Sequence, residues 1–67
     1  MATLIVNGME ITLDGIYSIK SLLDREGYVC GRVAVEKNGS IVPKARFETE
    51  PLADGDKLEI VAFVGGG

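Results

Sequence analysis

The sequence predicts a small α+β domain in which one helix packs across a mostly antiparallel sheet. Two Asn-Gly pairs each lie between runs of strand-forming residues, a short helical pattern separates these two regions, and a further strand pattern precedes the terminal glycines. The predicted order of elements is therefore β-β-α-β-β-β. A chain of 67 residues provides enough material for one domain only.

The first hairpin is predicted around Asn7-Gly8, because this dipeptide suits both central positions of a type I′ turn. With this turn, the cross-strand partners on one side of the hairpin are all apolar: Ala2 with Leu13, Leu4 with Ile11, and Val6 with Met9. The other side is mostly polar. This contrast is what a sheet with one buried face requires.

A helix is predicted between the two hairpins. Its apolar stripe has the i, i+3, i+4 spacing of one helix face and consists of Ile19, Leu22 and Leu23. Ser18 stands at the N-cap position before this stripe. Gly27 is predicted to be the left-handed residue that ends the helix, with Tyr28 folding back on Leu23 in a Schellman motif.

The second hairpin is predicted around Asn38-Gly39, which joins RVAVEK to SIV before Pro43 ends the short strand. A polar, turn-rich segment follows, and Phe47 and Leu52 are its expected apolar anchors.

The last strand is predicted in KLEIVAFV, which alternates between the two sides of the sheet. The residues expected to face inward are Leu58, Ile60, Ala62 and Val64, and those expected to face outward are Glu59, Val61 and Phe63. The predicted domain spans residues 1–64, and residues 65–67 form a flexible glycine tail.

The composition argues against catalysis by the chain itself. Histidine is absent and Cys30 is the single cysteine, so neither a His/Cys metal site nor the usual general base is present. A catalytic thiol needs a neighbouring base or cation, and Cys30 is therefore interpreted as a semi-buried filler. Asp54 and Asp56 lack the spacing of a calcium loop and indicate a tight turn.

The charge pattern argues against nucleic acid as a partner, and the short apolar stretches argue against a membrane. The net charge is −3, and the seven basic residues are spread singly among the carboxylates. The first apolar stretch, Leu4 to Val6, is too short for a signal peptide or a membrane span. A single unpaired cysteine without an export signal is typical of a cytoplasmic protein.

The three glycines at positions 65–67 suggest a chemical function for the chain end. A carboxylate must be activated, for example as an acyl-adenylate, before it becomes an acyl donor. The activating enzyme has to draw the chain end through a narrow passage, and glycine, which has no Cβ, adopts whatever backbone angles the passage imposes.

Three segments together resemble the ThiS-type sulfur carriers of thiamine biosynthesis, which belong to the ubiquitin-like β-grasp family. They are VNG at 6–8, VAVEKNGSIVPK at 33–44 and LADGDKLEIVAFVGGG at 52–67. The resemblance covers nearly the whole chain and implies a β-grasp fold. One departure is Phe47, where many relatives carry tryptophan, and this change does not touch the tail.

The resemblance implies a cycle that partner enzymes perform. An ATP-dependent enzyme of the ThiF/MoeB type would adenylate the Gly67 carboxylate, and Gly65 and Gly66 would thread into its active site. Sulfur from cysteine, delivered through a cysteine desulfurase, would then give a thiocarboxylate that a ThiG-like thiazole synthase consumes. The chain would be a covalent carrier with no bound cofactor or metal, and not an enzyme.

The same resemblance predicts where partners dock. In a β-grasp sheet the first and last strands are parallel neighbours, so Ile5, Val61 and Phe63 are expected to form one apolar patch on the outer side, beside the tail. Phe63 is the expected anchor.

Three alternatives share these features. The first is a sulfur carrier of another pathway, such as a MoaD-like carrier for molybdopterin, tRNA thiolation or an amino acid. The second is a ubiquitin-like modifier that joins Gly67 to lysines of other proteins. The third is a non-covalent binding module whose glycines are a frayed end.

Overall fold

The computed structural model describes residues 1–15 and 17–63. The elements in chain order are strands β1 (Ala2–Val6) and β2 (Met9–Leu13), helix α1 (Ile19–Arg25), and strands β3 (Val33–Lys37), β4 (Ser40–Val42) and β5 (Lys57–Ala62). Short 3₁₀ turns at Cys30–Arg32 and Lys44–Arg46 flank the second hairpin. The predicted order of strands and helix is confirmed.

The strands form one five-stranded sheet in the order β2-β1-β5-β3-β4. Both hairpins are antiparallel, and β5 is antiparallel to β3 but parallel to β1. The expectation that the first and last strands are parallel neighbours is therefore confirmed. The sheet is mixed, with β5 at its centre.

Both Asn-Gly turns have the backbone conformation that the sequence predicts. Asn7 and Gly8 have φ values of 50° and 80°, and Asn38 and Gly39 have 52° and 87°. Positive φ at both central residues is the property of a type I′ turn, whose twist matches that of the joined strands. The first turn therefore sets the predicted register, in which Val6 pairs with Met9.

Helix α1 is held at both ends by local hydrogen bonds. Ser18 Oγ accepts from the Ser21 N–H at 3.3 Å, and Ser21 Oγ accepts from the Ser18 N–H at 2.9 Å, which is a reciprocal capping box. At the other end Gly27 has φ 85°, and the Tyr28 N–H donates to the Leu23 carbonyl at 2.9 Å. This is the 6→1 hydrogen bond of the predicted Schellman motif.

A single apolar core lies between α1 and the inner side of the sheet. Its buried side chains are Leu4, Val6, Leu13, Ile19, Leu22, Leu23, Val33, Val35, Val42, Phe47, Leu58 and Ile60. The helix stripe and the anchor Phe47 are thus buried as predicted, and Leu52 packs against the core while remaining partly exposed. Burial of these groups is the main source of folding free energy.

Two residues predicted to face inward are on the expected side but are not covered. Met9 is 71% exposed, and Ala62 is also exposed. Met9 lies at the beginning of the edge strand β2, and Ala62 is the last residue of β5, so both stand at a margin of the sheet. The inward prediction for Val64 falls outside the described residues.

We expect Ile60→Ala to destabilise the domain much more than Phe63→Ala. Ile60 is 6% exposed and its truncation leaves a core cavity, at a cost of about 2–5 kcal/mol. Phe63 is 57% exposed, so its truncation changes the free energy of unfolding by less than about 1 kcal/mol. Urea unfolding of the two variants measures the difference, and equal losses would mean that the assigned sides of β5 are reversed.

Candidate functional site

The predicted reactive residues, Gly65, Gly66 and Gly67, lie outside the described residues, as does the boundary proposed after residue 64. The structure does describe the base from which this segment continues. β5 ends at Ala62, and the Phe63 N–H donates to the Arg32 carbonyl at 2.7 Å. The chain therefore approaches its end from the central strand of the sheet, still paired with the segment that leads into β3.

A side chain from the first hairpin binds β5 just before this point. The Asn7 N–H donates to the Leu58 carbonyl at 2.9 Å. In addition, Asn7 Oδ1 accepts from the Ile60 N–H at 2.7 Å, and Asn7 Nδ2 donates to the Ile60 carbonyl at 3.1 Å. Only the turn conformation of Asn7 was predicted from the sequence, because its contact with Ile60 joins residues far apart in the chain.

The outer side of the sheet carries an apolar surface at the end of β5. Val61 and Phe63 are 58% and 57% exposed, on the side opposite to the buried Leu58 and Ile60. Ala34 on β3 pairs with Val61 and extends the surface across the sheet. We refer to Ala34, Val61 and Phe63 as the outer patch. Ala34 was missed in the sequence because the β3–β5 register was not predicted.

The structure does not bring the third predicted docking residue, Ile5, next to the other two. In the parallel β1–β5 register Ile5 lies opposite Lys57, and Val61 is four residues further along β5. At about 3.3 Å per residue this separation is about 13 Å. Ile5 is also only partly exposed. The expected contiguity of Ile5 with Val61 and Phe63 is therefore wrong.

An acidic pair borders the outer patch. Glu36 on β3 lies directly opposite Glu59 on β5. On the outer side of the sheet this pair is the next one along the strands after the pair formed by Ala34 and Val61. Like charges in directly opposite positions oppose strand pairing. The apolar surface thus ends at this row, and Glu59 lies between Val61 and the row that contains Ile5.

The lone thiol lies at a separate cavity of about 310 Å³. This cavity is lined by Lys20, Cys30, Gly31, Lys44, Ala45, Phe47 and Glu48. Cys30 is partly buried and packs against the core, which confirms its interpretation as a semi-buried filler. The pKa of Lys20 is raised by its 2.8 Å hydrogen bond to Asp24 and by the charge of that carboxylate.

Two further properties concern the described part of the chain. Within residues 1–15 and 17–63, no three side chains of the types that ligate metals come together. The helix described there is also too short to cross a membrane.

The chain is similar in sequence to one protein family and to several named proteins. The ThiS family model matches residues 4–67. A thiazole synthase from Paramagnetospirillum magneticum is 45% identical over 64 residues, which are 96% of this chain but only 20% of that protein. The sulfur carrier protein ThiS of Bacillus subtilis is 51% identical over 35 residues, about half of each chain.

A solved structure also resembles this chain over nearly its whole length. The crystal structure of the thiamine biosynthesis protein ThiS from Geobacter metallireducens superimposes with a TM-score of 0.81 at 34% identity, covering 97% of this chain and 99% of that one. The predicted ubiquitin-like β-grasp fold is thereby confirmed.

Proposed function

The chain belongs to the ThiS family, and from this premise we propose that it carries sulfur on the carboxylate of Gly67. The observation that carries the proposal is the family match, which extends through the terminal glycines. In the first step a carboxylate oxygen of Gly67 attacks the α-phosphorus of ATP in a partner enzyme, and pyrophosphate leaves. In the second step sulfur at the oxidation level of sulfide attacks the carbonyl carbon of the adenylate, the bond to AMP breaks, and a thiocarboxylate remains.

The partners supply the catalytic groups in this proposal. An adenylating enzyme of the ThiF/MoeB type binds ATP. A cysteine desulfurase system, together with a thiol that reduces its persulfide, supplies sulfur at the oxidation level of sulfide. We propose that this cycle takes place in the cytoplasm, where thiols stay reduced. The chain contributes a carboxylate on an arm without side chains, which approaches a nucleotide more closely than a substituted arm does. The carrier is regenerated after each sulfur transfer.

We propose a thiazole synthase as the sulfur acceptor. The support is that similar segments form about a fifth of proteins named thiazole synthase, so that a carrier-like domain and a synthase occur in one chain. A covalent link keeps two domains at high effective concentration, which favours partners that act in succession. A MoaD-like carrier of another pathway would differ in the synthase that accepts its thiocarboxylate.

We further propose that the outer patch docks the adenylating enzyme. Val61 and Phe63 are exposed, lie beside the chain end and face away from the core. The backbone at both residues is already hydrogen-bonded or paired on the β3 side, so that binding there orders little additional backbone. The patch would therefore hold the body of the carrier while the tail enters the partner's active site.

Sulfur loading should increase the mass of the carrier. Incubated with a matching ThiF/MoeB-type enzyme, ATP and a sulfur donor, the chain should gain the mass difference between sulfur and oxygen, located on Gly67. Intact-mass and fragment-ion spectrometry measure both the gain and its position. Hydrolysis of ATP without a change in carrier mass would contradict the proposal.

Deletion of Gly66 and Gly67 should abolish this mass gain and leave the free energy of unfolding nearly unchanged. Terminal residues outside a core contribute little to stability. Urea unfolding of the truncated and full-length chains provides the control. A large loss of stability on truncation would show that the tail is a packed part of the domain.

Phe63→Ala should weaken binding to the adenylating enzyme by about 1–3 kcal/mol, because exposed aromatic anchors dominate interface energetics. Met9→Ala is a matched control, since Met9 is also strongly exposed but lies on the other side of the sheet. Titration calorimetry should show a weaker affinity for the Phe63 variant alone. Equal affinities for the wild type and both variants would show that the outer patch is not part of the interface.

A further inference from the structure

We propose that Asn7 is a positioning residue for the tail. Its side chain ends the contact between the first hairpin and β5 at Ile60, so that residues 61–63 are held from the β3 side alone. The inference rests on the proposed function, because the position of the tail matters only if Gly67 must reach a nucleotide in a partner.

The backbone ladder between β1 and β5 is short. It pairs Ile5 with Lys57 and Val6 with Leu58, after which the turn at Asn7 takes the chain away toward β2. The last backbone hydrogen bond on this edge runs from the Asn7 N–H to the Leu58 carbonyl at 2.9 Å. The next backbone groups of β5 that point to this edge are those of Ile60.

The Asn7 carboxamide occupies the position that another strand residue would take. It accepts from the Ile60 N–H at 2.7 Å and donates to the Ile60 carbonyl at 3.1 Å, so it satisfies both backbone groups of one residue. A carboxamide carries a donor and an acceptor, as a peptide unit does. Asparagine also tolerates the φ of 50° that the turn needs at this position.

Among the described residues that follow Ile60, which are 61–63, the chain is paired on one edge only. In an antiparallel ladder the backbone groups of alternate residues point to the same neighbour. Since Lys57 and Phe63 bond with Asn38 and Arg32 on the β3 side, the N–H and carbonyl of Ala62 point to the edge that β1 has left. Among residues 1–15 and 17–63, no hydrogen bond to Ala62 occurs on that edge.

The carboxamide therefore determines where support from the first hairpin ends along β5. Seven residues follow Ile60 in the sequence, and loss of the Asn7 side chain would move the last contact with the first hairpin back to Leu58, two residues further from Gly67. Ordering each additional residue in the partner's active site costs conformational entropy. A longer stretch without support from the first hairpin should therefore lower the rate of adenylation, even when the body of the carrier docks normally.

The test uses Asn7→Gly, which keeps a residue suited to positive φ and removes the carboxamide. The matched control is Asn38→Gly in the second hairpin. Asn38 also binds β5 through its side chain, with Oδ1 2.9 Å from the Lys57 N, but at the beginning of the strand. Thermal unfolding identifies a temperature at which all variants are folded.

Adenylation by the ThiF/MoeB-type enzyme is followed by ATP–pyrophosphate exchange at varied carrier concentrations. We expect Asn7→Gly to lower kcat about tenfold with little change in KM. Amide hydrogen exchange of Ile60 should become faster in this variant. Asn38→Gly should leave kcat and the Ile60 amide unchanged, and Asn7→Asp, which keeps the acceptor for the Ile60 N–H, should restore part of kcat.

The outcomes separate the two proposals. An unchanged kcat in Asn7→Gly, or an equal loss of kcat in both glycine variants, would overturn the positioning role. Failure of the wild-type chain to support pyrophosphate exchange would instead overturn the proposed function and this inference with it. A Tm loss shared by both glycine variants, with kcat lowered only by Asn7→Gly, supports the positioning role.

Discussion

The central place of β5 is the constraint on which the rest of the structure depends. Each hairpin pairs within itself, and β5 is the strand that pairs with both β1 and β3. It also supplies Leu58 and Ile60 to the core beneath the helix. The strand that unites the two halves of the domain is thus the one that leads to the proposed reactive end, so the whole fold fixes the point at Phe63 from which that segment continues.

Polar side chains secure the beginning of the same strand. Asp56 is a nearly buried acid, and it accepts hydrogen bonds from Asn38 Nδ2 at 3.0 Å and from the Ala53 N–H at 2.8 Å. Lys37 Nζ lies 3.0 Å from Glu50 and 3.8 Å from Asp56. A buried charge without such partners would be strongly unfavourable. The Asn-Gly and Gly-Asp motifs therefore hold the beginning of β5 in place.

The features of the fold that the sequence predicted are those that interactions between nearby residues determine. The order of all strands and the helix, both turns and both helix ends followed from residues a few positions apart. The Asn7 bond to Ile60 and the β1–β5 register were not predicted, because no local turn sets the register of parallel strands. That register is also why Ile5 lies beside Lys57 and away from the outer patch. The tail was recognised by its glycines, whereas its attachment depended on contacts between distant segments.

The arrangement of β5 also determines how the domain bears mechanical load. A partner that drew the tail into a passage, as proposed above, would pull along β5 from its end at Ala62. The hydrogen bonds of the antiparallel β3 ladder run perpendicular to the pull, and the β1 ladder shares the load from the other edge. The bonds are thus stressed in shear and have to break together, whereas an edge strand peels away one bond at a time. Residues 61–63, which are paired with the β3 side, would then yield first and leave the core undisturbed.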